Sequence, residues 1–127
     1  VFHTGYDPIS PGCIHATPEA VVEMARQFPE LTIIAAHTGG LYFGNPPQDI
    51  YLDTPNVTFD TAIASYTFAP EAYRRLIDIY GAERFIFATD NPWGDAAKDL
   101  AFFEAVGLTR DEREMICHEN AERLIGI

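Results

Sequence analysis

Basic residues are scarce in this chain. Only 8 lysines and arginines stand against 19 aspartates and glutamates, for a net charge of −11 at pH 7. A surface of that sign repels a phosphate backbone and an anionic membrane, so nucleic acid and membrane are not expected partners. Cysteine is scarcer still. Cys13 and Cys117 lie far apart with no CxxC spacing, too few for a disulfide framework or a zinc ribbon, and this usage fits a reducing cytoplasm. No apolar run approaches the roughly 20 residues of a membrane span, and no basic stretch followed by an apolar one stands at the start. Neither glycine-rich phosphate loop, GxGxxG nor GxxxxGKS/T, occurs, and no His-x-His occurs either.

What is present is the make-up of a globular domain: 127 residues, 47% hydrophobic and 13% aromatic, enough for one folding unit spanning 1–127 with no repeat, linker or internal boundary. Val1-Phe2 reads as the end of a buried strand, so the chain is expected to open inside an element, as a partial domain. Tyr6 to Ala16 is a loop. Thr17 before Pro18 starts a helix to about Gln27, because the hydroxyl can cap free N–H groups and proline fits the first turn. Ala20, Val21, Met24, Ala25 and Phe28 form its expected apolar face. Leu31 to Ala36 is almost continuously apolar, the pattern of a parallel strand buried on both sides. His37 follows directly, then the sharp turn Thr38-Gly39-Gly40. Leu41 to Pro55 is an irregular excursion.

Asn56 to Asp60 is the next strand. A helix from Pro70 to Tyr80, stopped by Gly81, turns Ala72, Tyr73, Leu76, Ile77 and Tyr80 inward. Arg84 to Ala88 is the last strand, and Asp90 lies in the loop after it. A helix covers about Asp95 to Ala105. Thr109 with Glu112 is a capping-box pattern for another, Arg110 to about Cys117, and Glu119 to Ile127 is a short closing helix.

Strands alternating with helices imply right-handed crossovers and a parallel sheet. The polar residues at the strand ends, His3, His37, Asp60 and Asp90, fall 34, 23 and 30 residues apart, close to the length of a βα unit. Four such units are half of a (β/α)8 barrel; a small doubly wound sheet is the other candidate, although it usually carries a glycine-rich phosphate loop. In a barrel the strand C-termini converge on one face, which here receives His, His and Asp. Imidazole nitrogen and carboxylate oxygen suit a divalent ion such as zinc. Each residue also has a plainer reading. His3 is a hydrogen-bonded loop histidine, His37 a packed one, and Asp90 a helix cap or the anchor of an Asx turn.

The order Val1-Phe2-His3-Thr4-Gly5, Phe28-Pro29, Ala35-Ala36-His37-Thr38-Gly39-Gly40, Asn56-Val57 with Asp60, Gly81 to Trp93 and Asn120 to Ile127 resembles the amidohydrolase-related branch of the amidohydrolase superfamily. The resemblance covers essentially the whole chain. It implies the C-terminal half of a (β/α)8 TIM barrel of about four βα units. His3 is then the metal ligand from the fifth strand. Asp90, from the eighth, binds metal and handles the proton of the reacting water. His37 matches a sixth-strand histidine that binds metal in some relatives and stabilises the transition state in others.

The implied activity is metal-dependent hydrolysis of an amide, ester or lactone bond in a small molecule, with non-oxidative decarboxylation of an aromatic or unsaturated acid as the alternative. The family's first-strand His-x-His pair is absent here, so the isolated chain is expected to be inactive, a silent half-barrel able to pair with a second copy through exposed strand edges at Val1 to His3 and Arg84 to Ala88. His15 is a loop histidine with a possible place at the substrate entrance. His118 is expected on a helix surface, Trp93 as a pocket wall or packing residue, and Asn120 as the cap of the closing helix, with Leu124 and Ile127 packed inward.

Overall fold

A computed structural model describes residues 1–14, 16–40 and 49–127. His15 and most of the Leu41 to Pro55 excursion lie outside the described residues. The chain forms two compact units, Val1–Asp60 and Thr61–Ile127.

In the first unit, helix α1 (Pro18–Gln27) begins where the sequence predicts, with the Thr17 side chain accepting from the Ala20 amide and Pro18 in the first turn. Its inward stripe is Val21, Val22 and Ala25. Ala20 is exposed and Phe28 is 55% exposed, so the buried face is rotated by one position from the expected one. The reason lies at Asn56, whose amide donates to the carbonyls of Ala25, Phe28 and Leu31. That clamp ties down the backbone at the helix end and leaves the Phe28 ring outside.

Strand β1 (Ile33–Ala35) is shorter than the apolar run that announces it. It pairs in parallel with β2 (Val57–Asp60), Ile33 opposite Val57 and Ala35 opposite Phe59. Phe2 forms a parallel bridge with Ala35, donating to the Ile34 carbonyl and accepting from the Ala36 amide. The strand ends carrying His3, His37 and Asp60 therefore point the same way, as the parallel reading requires. Ile33, Ala35, Val57 and Phe59 are buried, and Tyr51 packs edge-on against Phe59 with a ring separation of 5.2 Å.

In the second unit, α3 (Ala64–Thr67) is a single turn that the sequence did not announce. Helix α4 (Pro70–Tyr80) matches its predicted bounds, and Tyr73, Leu76, Ile77 and Tyr80 are buried. Strand β3 (Phe85–Ile86) is short, and α5 (Ala96–Val106) follows, capped by the Asp95 carboxylate on the Ala97 and Lys98 amides. Tyr73 is the centre of an aromatic core, edge-on to Phe85, Phe102 and Phe103 with centroids 5.5–5.8 Å away.

Helix α6 (Arg110–Glu114) has the full capping box at Thr109 and Glu112. A π-helical turn, Met115–Glu119, joins it to α7 (Asn120–Ile125) without a break. The expected cap at Asn120 is therefore corrected. Asn120 is fully buried inside a continuing helix, and its amide donates to the carbonyls of Ala82 and Phe85. Ile127 is 85% exposed rather than packed inward. The wide turn also presents the Ile116 carbonyl to the Phe87 amide, so part of the strand edge at Arg84 to Ala88 is covered from within the chain.

Candidate active site

His3 and His37 leave successive parallel strands, and the structure brings them together. His37 Nε2 lies 3.0 Å from His3 Nδ1, and the rings meet edge-on with centroids 4.6 Å apart. His37 is 5% exposed, whereas His3 is open to solvent. One imidazole is thus gripped by the protein and the other faces the approach.

The grip comes from the turn that carries His37. In α2 (Ala36–Gly39), His37 and Thr38 have φ of 58° and 55°, and Gly39 and Gly40 follow at 67° and 72°. Four consecutive left-handed residues make a compact loop that L side chains disfavour by about 1–2 kcal/mol each. Several contacts hold it in place. The Asp60 carboxylate accepts from the His37 amide at 2.8 Å, Thr38 Oγ1 donates to the Asp60 carbonyl at 3.4 Å, and the buried Tyr51 hydroxyl donates to the Gly39 carbonyl at 2.8 Å. Both glycines are required. A Cβ on Gly39 would stand 2.8 Å from the Tyr51 ring, and one on Gly40 would stand 3.0 Å from the Thr4 carbonyl oxygen.

Asp90, in the second unit, is exposed and has φ of 59°. Its carbonyl accepts from the amides of Trp93 and Gly94, which closes a tight turn behind it. A Cβ on Gly94 would collide with the Thr89 carbonyl oxygen, so glycine is the residue that lets this turn close. Thr61 fixes the strand end below. Its amide donates to Ile86, and its hydroxyl donates to the Ala88 carbonyl at 3.1 Å while accepting from the Ala88 amide at 2.9 Å.

Two imidazole nitrogens bound to one zinc-like ion at about 2.0–2.1 Å each lie roughly 3 Å apart. The His3–His37 contact is a hydrogen bond between ring nitrogens, and its separation is also close to that of two ligands of one divalent ion once the shared proton is released. Within the first unit, no third His, Cys, Asp or Glu among the described residues joins them as a metal-holding group.

Sequence reasoning singled out His3, His37 and Asp90 but missed what holds them. The hydroxyls of Thr61 and Tyr51 gave no signal. Asp60 did, through its place in the strand-end spacing. The remaining candidates lie elsewhere in chemistry. His118 sits on the helix surface as expected, 2.8 Å from Glu114 and 3.3 Å from Glu122, and the bond to Glu114 raises its pKa. Trp93 is 69% exposed and is not packed in a core among the described residues. Cys13 and Cys117 are both exposed and form no disulfide among the described residues.

A family model described as Amidohydrolase matches residues 1–127. The chain belongs to the Amidohydrolase family. Members of this family are metal-dependent enzymes. No curated protein matches the chain. Among solved structures, an uncharacterised TIM-barrel protein from Bordetella bronchiseptica shares 24% identity at a TM-score of 0.69, covering 86% of this chain and 39% of that one. A dihydroxybenzoic acid decarboxylase from Polaromonas, solved with manganese and the inhibitor 2-nitroresorcinol, shares 21% at 0.66, covering 86% and 38%. A candidate 2-pyrone-4,6-dicarboxylic acid hydrolase from Pseudomonas putida shares 21% at 0.62, covering 86% and 49%. At these identities the likeness is one of fold. The Amidohydrolase chain has the α/β architecture of part of a TIM barrel and spans about two-fifths to one-half of the length of those three structures. No helix among the described residues is long and apolar enough to cross a membrane.

Proposed function

We propose that the protein carrying this chain is a metal-dependent hydrolase that cleaves an amide, ester or lactone bond in a small molecule. The observation that carries the reading is the His3–His37 pair, two imidazoles from neighbouring strand ends at a spacing that fits one divalent ion. His3 and Asp90 are the proposed metal ligands, and His37 is either a further ligand or the group that stabilises charge on the substrate. When bound, the ion acts as a Lewis acid that brings the pKa of a coordinated water to about 7.

The chain's own residues then do the rest. Asp90 accepts the water proton and returns it to the leaving group as a general acid/base. Its exposure and the tight turn behind it leave the carboxylate free to face solvent and substrate. His37, buried and held by its amide, donates or accepts at a fixed point rather than searching for one. The coordination set is proposed to be completed by residues outside this chain, so the activity is that of the whole protein and the isolated chain is inactive. Zinc is the proposed ion, and the manganese in the Polaromonas structure makes that ion the first alternative.

A second reading, decarboxylation of a small aromatic or unsaturated acid, is favoured by the Polaromonas structure's activity and inhibitor, and the same residues serve it. The deciding experiment incubates the metal-loaded protein with panels of lactones, esters, amides and aromatic acids and measures both acid and carbon dioxide released. Acid release abolished by Asp90→Ala supports hydrolysis. Carbon dioxide without hydrolysis selects the second reading, and full activity of Asp90→Ala defeats both.

A further inference from the structure

We propose that Asp60 is the positioning residue of the His3–His37 pair: its carboxylate, by accepting the His37 amide, sets the left-handed turn that presents the His37 ring to His3. That this ring is thereby presented to a divalent ion rests on the functional reading above.

The turn cannot hold itself. His37 and Thr38 adopt a backbone that L residues disfavour, and the bond within the turn from the Gly40 amide to the His37 carbonyl, 3.0 Å, leaves the His37 amide unused. Asp60 takes up that amide with its side chain at 2.8 Å and the Thr38 hydroxyl with its main chain at 3.4 Å, so each strained non-glycine residue bonds the same residue of the neighbouring strand. Asp60 itself is fixed by position. It is the last residue of β2, one step beyond Phe59, which sits opposite Ala35 in the parallel ladder. A hydrogen bond to a charged acceptor is roughly twice as strong as a neutral one, which suits a part-buried amide next to a ring that must not swing. Length matters as much as charge. Asparagine keeps an acceptor oxygen at the same reach, glutamate carries the charge one methylene too far, and alanine offers neither.

The test uses the full-length protein labelled with nitrogen-15 only at histidine, in three forms: Asp60→Asn, Asp60→Glu and Asp60→Ala. Two quantities are measured in each, the hydrogen-exchange protection of the His37 amide without metal and the affinity for zinc and manganese by titration calorimetry. Asp60→Asn is expected to keep the amide protected and the affinity within about threefold of the parent. Asp60→Glu and Asp60→Ala are expected to lose the protection and about 10- to 100-fold in affinity, the usual effect of removing a residue that orients a ligand. Should Asp60→Ala fail to fold, the Asn and Glu pair decides alone. A protected His37 amide in Asp60→Ala or Asp60→Glu overturns the proposal. Asp60→Asn losing affinity while its amide stays protected also overturns it, by assigning Asp60 a charge acting on the ion. If the parent binds no ion, the functional reading fails, and the exchange data still decide whether Asp60 holds the turn.

Discussion

Replacing Gly40 by alanine tests the link between backbone and site most directly. Gly40 ends the His37 turn at φ +72°, and an added Cβ would sit 3.0 Å from the Thr4 carbonyl oxygen and 3.1 Å from the Gly5 nitrogen. Those atoms are backbone and cannot rotate away. The Thr4 hydroxyl bonds the Phe2 carbonyl, and the Gly5 amide bonds Ala16, so the segment that carries His3 is tied at both ends. The left-handed conformation costs an alanine about 1 kcal/mol, and crowding against fixed atoms adds about 1–3, for a loss of roughly 2–4 kcal/mol. Gly107 supplies the control, because it has φ +75° with nothing within 4 Å of its added Cβ. Gly107→Ala should cost only the conformational share, about 1 kcal/mol or less once the stiffer unfolded chain is counted. Thermal and urea unfolding of both variants separates the two contributions. In addition, Gly40→Ala should weaken metal binding, since its relief must come from moving Thr4 and with it His3, whereas Gly107→Ala should not. Equal destabilisation by the two substitutions would refute the steric account of this turn.

Two further expectations concern the second unit. Arg74 makes a two-pronged bond to Glu112, at 2.8 and 2.9 Å, and this guanidinium lowers the Glu112 pKa from an ordinary 4.5 to about 2. A depressed carboxylate pKa stabilises the fold above the unfolded value and loses that contribution as pH falls from 4.5 towards 2. Discounted for solvent at side chains that stay 24% and 21% exposed, the pair contributes about 1–2 kcal/mol. Glu112→Gln keeps an acceptor for the Thr109 amide and so isolates the charge; unfolding at pH 7 should show the loss, and by pH 2 variant and parent should converge. Asn120→Ala removes two buried hydrogen bonds, to the Ala82 and Phe85 carbonyls, although the Ala82 carbonyl keeps the Phe85 amide; the loss should cost about 1–3 kcal/mol in urea unfolding, and Asn120→Asp should not restore it because it lacks the donors.

The readable parts of the sequence were those with local causes. Thr17-Pro18, Pro70 with Gly81, and the Thr109–Glu112 box set helix ends through groups within four residues of each other, and the structure places those ends as read. The apolar run at Leu31 to Ala36 announced a parallel strand for the same reason. Misread features had distant causes. The α1 stripe turns because Asn56 holds three carbonyls from across the unit, and Asn120 reads as a cap until carbonyls 35 and 38 residues away claim its amide. A polar residue next to a helix start has two possible employers, and only the fold shows which one takes it. At the site, the residue types at the strand ends were legible, but Tyr51 and Thr61 act through single hydroxyls that no spacing rule selects.

Strain gives the strand ends a meaning that residue type alone does not. Among the described residues, the non-glycine positions with positive φ are His37, Thr38, Ile63 and Asp90. Each follows the C-terminal end of a strand: β1 for the first two, β2 for Ile63 and β3 for Asp90. Thr38 and Ile63 are the costliest by type, since a β-branched side chain suits this region least, and Ile63 sits between the Thr61 clamp and the first turn of α3. Random wear would scatter such outliers over loops of every kind. Their restriction to strand exits means that the chain turns more sharply there than the side chains prefer, and that neighbouring hydrogen bonds hold the turns closed. Residues kept in disfavoured backbone states persist only where the surroundings over-determine them, and such places cluster at sites of chemistry. Glycine or asparagine would relieve the strain at these exits; the chain instead has histidine, threonine, isoleucine and aspartate there, and glycine continues only the His37 turn, at Gly39 and Gly40.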